Sequence, residues 1–185
     1  MILTIVTGLL NTFIIPFGFY RCWLLGAKFS FKEYPLSHVT KTKYKNVFTF
    51  YILIIAVTQI FFLFGLLGSF INLPDYLVAL PFTSMIALLI SGLVHSSINK
   101  PIHRTAIVYM VVSLIAWSFL WHTFIYALSP TVGIFGFIIS TIVFIGCPAL
   151  HLYYKNFGMS EILFAGATVI WNILMISFVL QNLSL

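Results

Sequence analysis

Residues 105–154 read TAIVYMVVSL IAWSFLWHTF IYALSPTVGI FGFIISTIVF IGCPALHLYY, with no Asp, Glu, Lys or Arg between Arg104 and Lys155. A helix crosses the roughly 30 Å of bilayer hydrocarbon in about 20 mainly apolar residues, because only an internally closed backbone ladder satisfies every N–H and C=O there. This run is more than twice that length. The Ser129-Pro130 step carries turn chemistry near its middle, so the run reads as two helices, over 105–127 and 132–151, joined by a short hairpin.

The other charges divide the rest of the chain in the same way. They predict further crossings over about 2–20, 47–68, 77–97 and 162–180, six in all, within a single domain spanning 1–185. Runs such as Ile52-Leu53-Ile54-Ile55-Ala56-Val57 do not alternate, which excludes a membrane β-barrel. The fold class is therefore an all-α, polytopic integral membrane protein, a six-helix bundle. Composition agrees: 62% of the 185 residues are apolar and only 6% charged, against about one quarter charged in soluble domains. That excludes a soluble domain, a disordered tail and a disulfide scaffold; Cys22 and Cys147 read as small packing residues.

All nine Lys and Arg fall in the first, third and fifth connections, the first of which, residues 21–46, holds Arg21, Lys28, Lys32, Lys41, Lys43 and Lys45. By the positive-inside rule these connections face the cytoplasm, which puts both termini outside a cytoplasmic membrane. The first span lacks a basic leader and is too long for a signal h-region, so it is expected to remain as helix one. Phe29, Phe31, Tyr34 and Tyr44 lie among the six cations. Such interleaving beside a membrane selects an anionic inner leaflet and an interfacial aromatic belt as partners, not nucleic acid. Part of this loop, bent at Pro35, is expected to lie in the headgroup layer.

No charged side chain falls inside a predicted span, which argues against carriers built on intramembrane carboxylates. The neutral polar groups remain. At about 1.5 Å per residue, Asn11, Gln59, Thr141 and Asn172 come out near mid-membrane and would form a polar layer, with His122 about a turn nearer the outer face. They are expected to bond across helices, or to line a small ligand or lipid-headgroup cavity. His38, His95, His103 and His151 fall toward the cytoplasmic side with Glu161. Of these, His95, His103, His151 and Glu161 have the donor chemistry for zinc, but without short-range ligand spacing, and no other cofactor is evident. Ser91 and His95, at i and i+4, would share a helical face.

Several short patterns, Pro35-Leu36-Ser37, His95 to His103-Arg104-Thr105-Ala106, and Gly158-Met159-Ser160-Glu161 followed by Trp171, resemble those of a prokaryotic family. It is the group of six-helix membrane proteins of unknown function related to the DRAM/Frag/Sfk superfamily. The resemblance implies the same six-helix fold and marks Ser37, His103 and Glu161; where eukaryotic relatives often carry an acid after the loop serine, this chain has His38. It implies no activity.

The function expected from these residues is that of a bundle interacting with lipid or with partner helices, either its own copies or another membrane protein, which needs no catalytic group, and none is evident. The alternatives are a metal-dependent membrane hydrolase acting on lipid at the inner leaflet, or a small-molecule-binding transporter subunit such as that of a vitamin transporter.

Overall fold

A computed structural model describes residues 2–25, 29–70, 72–95 and 98–182. Six long helices fill it: α1 Ile2–Leu25, α2 Lys45–Leu67, α3 Asp75–Leu93, α4 Lys100–Leu128, α5 Pro130–Tyr154 and α6 Gly158–Asn182. Each is long and apolar enough to cross a bilayer, so the chain is an integral membrane protein. Among the described residues there is no strand.

The ends of the helices follow local chemistry. Ser129 alone joins α4 to α5, with Pro130 at the first helical position of α5, where its missing N–H costs nothing. α4 begins five residues before its predicted start of 105, because the Asn99 side chain caps the Ile102 N–H at 3.1 Å and Pro101 is tolerated in a first turn. α5 stops at Lys155, whose φ of 54° is left-handed. α1 runs five residues past its predicted end of 20, which brings Arg21 into its last turns. Glu161 likewise stands in the first turn of α6, so charge enters the helices at their ends.

Consecutive helices pack against each other, and α6 returns to pack on α1, closing a ring. Gly8 lies against Phe62 and Gly18 against Tyr51, so α1 and α2 are antiparallel, and the short later connections make the other neighbours so. Every described Lys and Arg therefore gathers at one end, with Asp75 at the other; Lys28 lies outside the described residues. Large apolar side chains cover the outside, among them Phe13 at 71% exposed and Ile145 at 61%. Water would not tolerate such a surface, and lipid does.

Two clusters fill the interior. The larger joins Phe62, Leu66 and Leu77 to Trp117, Trp121, Met175 and Phe178. Within it, Pro81 lacks the N–H that would have bonded the Leu77 carbonyl four residues back, and Trp117 Nε1 donates to that freed oxygen at 2.7 Å. The helix-breaking residue thus creates an acceptor that ties α3 to α4. The smaller cluster, Cys22, Phe29, Leu36, Val39 and Phe48, lies at the basic end. Its centre is a short 3-10 helix, Leu36–Lys41, whose Leu36, Ser37, Val39 and Thr40 are buried.

Candidate functional site

The polar layer read from depth is present in part. Gln59 and Asn172 face each other as a reciprocal amide pair, Gln59 Nε2 donating to Asn172 Oδ1 at 3.2 Å and Asn172 Nδ2 to Gln59 Oε1 at 3.3 Å. Asn11 is fully buried and its Oδ1 lies 2.5 Å from the Thr58 hydroxyl, which donates to it. Thr141 does not belong to the layer: it is exposed on the outer face of α5, and its neighbour Ser140 points inward to meet Ser118 at 2.5 Å. One residue is a rotation of about 100° around a helix, which is enough to turn Thr141 outward and Ser140 inward.

His122 is completely buried, and its Nε2 accepts the Trp171 indole N–H at 3.0 Å. The proton of the neutral ring then sits on Nδ1, a buried group with no partner among the described residues. Gly136 of α5 lies against this imidazole so closely that no side chain would fit there. Trp171 and Asn172, consecutive in α6, thus bind α4 and α2 respectively.

The histidines at the basic end do not converge on Glu161. His103 Nδ1 is 2.9 Å from the Ser91 carbonyl and 3.0 Å from that of Val94, a helix-end cap across to α4. His95 Nε2 contacts the Thr49 hydroxyl. Because α3 ends at Leu93, His95 is not on a helical face with Ser91, whose hydroxyl turns back to the Leu88 carbonyl at 2.8 Å. His151 stacks on Phe157 with ring centroids 4.1 Å apart. Among the described residues, no three His, Cys, Asp or Glu come close enough to share a metal ion. The zinc set therefore lacks the geometry that its residue types suggested.

Glu161 instead holds the first connection. Its Oε2 accepts the Leu36 N–H at 2.5 Å. Asn156 Nδ2 donates to the Lys32 carbonyl, and Gly158 lies directly against the carbonyl oxygens of Phe31 and Tyr34. Residues 29–41 are thereby folded under the bundle as a cap, with Ser37 buried in it and Lys32, Glu33 and Tyr34 exposed. Leu36 and Val39 supply enough apolar surface to prefer the protein interior.

Burial holds the His95 imidazole below its ordinary 6.5, with repulsion from His103 and Lys45 adding to it and a hydrogen bond to the Gly92 backbone partly opposing it. Burial, then Lys41, lowers His38 in the same way. A histidine depressed in the folded state binds fewer protons than in the unfolded chain, so stability is lost as pH falls from 6.5 toward the folded value. Between about pH 7 and about pH 5 the detergent-purified wild type should therefore lose thermal stability relative to a His38→Gln/His95→Gln variant. A profile unchanged by that pair of substitutions contradicts the assignment.

The outer surface carries one further feature that the sequence did not signal. Between α1 and α6 runs an apolar groove of about 340 Å³, from Ile15 and Val169 at its deep end to Trp23, Phe31 and Ile162 at the basic end. It exists because Gly166, midway along it, has no side chain: a Cβ there would meet no atom within 4 Å. Trp23 is fixed as one wall by donating its indole N–H to the Phe29 carbonyl at 2.9 Å. Compared with known proteins, the chain matches no family model, no curated protein and no solved structure.

Proposed function

We propose that this protein is a lipid-interacting bundle of the cytoplasmic membrane, with its basic connections toward the cytoplasm and both termini outside, and that it works through its lipid-facing surface. The observation that carries this reading is the α1/α6 groove, apolar along its whole length and open to the bilayer. The interior supports it by contrast. Gln59 is matched to Asn172, Ser84 to Ser113, Ser118 to Ser140 and Trp171 to His122, so the buried polar groups serve chiefly to join helices. A catalytic site needs a nucleophile, base or metal set held together. The histidines and Glu161 are instead each engaged with a backbone group, a hydroxyl or a ring. The nine cations suit an anionic inner leaflet, and account for the expected orientation.

Trp23 offers a direct test. It lines the groove, whereas Trp117, Trp121 and Trp171 are 2%, 0% and 8% exposed. In vesicles containing phospholipid brominated on its acyl chains, Trp23 fluorescence should be quenched, and Gly166→Leu, which fills the groove from open space, should remove most of that quenching. Equal quenching in the two proteins would mean that no lipid chain occupies the groove.

A further inference from the structure

Beyond a general affinity for lipid, the ends of the α1/α6 groove differ in a way that selects a class of lipid. Ile15 and Trp23 are eight residues apart on α1, about 12 Å at about 1.5 Å per residue, which is less than half of the roughly 30 Å hydrocarbon core. The groove therefore serves one leaflet. A crossing helix of a partner would extend well past it, while a single acyl chain ends where it ends. Its shallow end coincides with the basic end of the bundle, where Trp23 and Tyr20 have the aromatic character of a headgroup-level belt.

Two cations flank that mouth. Lys32 directly follows Phe31 of the groove wall, and the hydrogen bond from Asn156 to the Lys32 carbonyl brings the end of α5, with Lys155, to the same place. Both lysines are exposed. Glu33, also exposed, is the carboxylate beside them, while Glu161 is turned to the Leu36 N–H. Among the exposed side chains the mouth thus sets two ammonium groups against one carboxylate, above an apolar channel of one-leaflet depth.

We infer that the α1/α6 groove is a binding site for an anionic glycerophospholipid, one acyl chain lying along Gly166 and the phosphate held between Lys32 and Lys155. The inference rests on the lipid-interacting reading above and adds the headgroup to it. The ammonium groups attract the phosphodiester and any further negative charge, whereas a zwitterionic headgroup brings its own cation to the same mouth and loses much of that gain.

The test is a titration of the protein in phosphatidylcholine vesicles with acyl-brominated phosphatidylglycerol or acyl-brominated phosphatidylcholine, reading the part of the quenching that Gly166→Leu removes. In the wild type, the anionic lipid should reach half-maximal quenching at a mole fraction lower by on the order of tenfold. In Lys32→Ala/Lys155→Ala the two lipids should become equivalent while quenching persists. These lysines are on exposed residues, so that variant decides the matter even where Gly166→Leu perturbs folding; unchanged emission of the three buried indoles checks each protein. Equal titration by both lipids in the wild type, or a preference that survives loss of both lysines, overturns the headgroup assignment and leaves the lipid reading standing. Absence of groove-dependent quenching by either lipid, or quenching that fades as protein density rises because a second copy covers the groove, overturns both.

Discussion

Gly158→Val should release the first connection from the base of the bundle and cost about 3 kcal/mol. Gly158 is the first residue of α6, and a Cβ there would be driven into the main-chain oxygens of both Phe31 and Tyr34. Main-chain atoms cannot swing aside as the end of a long side chain does. The start of α6 must back away from the cap, and the Leu36 N–H then loses the Glu161 carboxyl oxygen that accepts it at 2.5 Å. Asn156 loses the Lys32 carbonyl at the same time. The expected result is faster proteolysis within residues 29–44 and a lower melting temperature, with emission of the buried tryptophans intact. Glu161→Gln, which keeps an acceptor oxygen without its charge, should give the same pattern more weakly. Wild-type proteolysis in Gly158→Val would mean that the cap does not depend on this contact.

Asn172→Leu should cost about 2 kcal/mol, and most of that should return when Gln59 is also replaced by leucine. The amides satisfy each other in a closed pair, at 0% and 7% exposure. Removing Asn172 alone leaves a donor and an acceptor of Gln59 facing hydrocarbon, whereas removing both leaves apolar groups that need no partner. A double-mutant cycle of unfolding in mixed micelles measures this. Simple additivity of the two losses would show that the amides act separately.

The six crossings were legible because charge is nearly absent from them, and the α4/α5 hairpin because Ser129-Pro130 is a strong local signal. Gln59 and Asn172 were legible as a layer because depth along a helix is simple arithmetic. Direction around the helix is not, and so Thr141 stood in for Ser140. The early start of α4 was written in Asn99 and Pro101, a cap and a first-turn proline whose pairing was not read. The fold of residues 29–41 was beyond local reading, since its key contact joins Leu36 to Glu161 across 125 positions of chain. The donors at His95, His103, His151 and Glu161 were correctly placed near one end, but convergence on a metal requires angles and distances that composition does not carry. The groove was missed because it is made by what is lacking at Gly166, and an absent side chain reads as an ordinary glycine in a hydrophobic run.

The closure of the ring by α6 onto α1 also sets an order of events during biosynthesis. At about 5–20 residues per second, α1 and α2 enter the membrane on the order of ten seconds before α6 emerges from the ribosome. Through that interval the Gln59 amide lacks its counterpart and the side of α1 that will meet α6 is bare. Insertion factors that shelter polar surfaces of nascent membrane proteins would have their longest engagement with this helix pair, and translation stalled ahead of residue 158 would leave a product marked for degradation by that same uncovered amide.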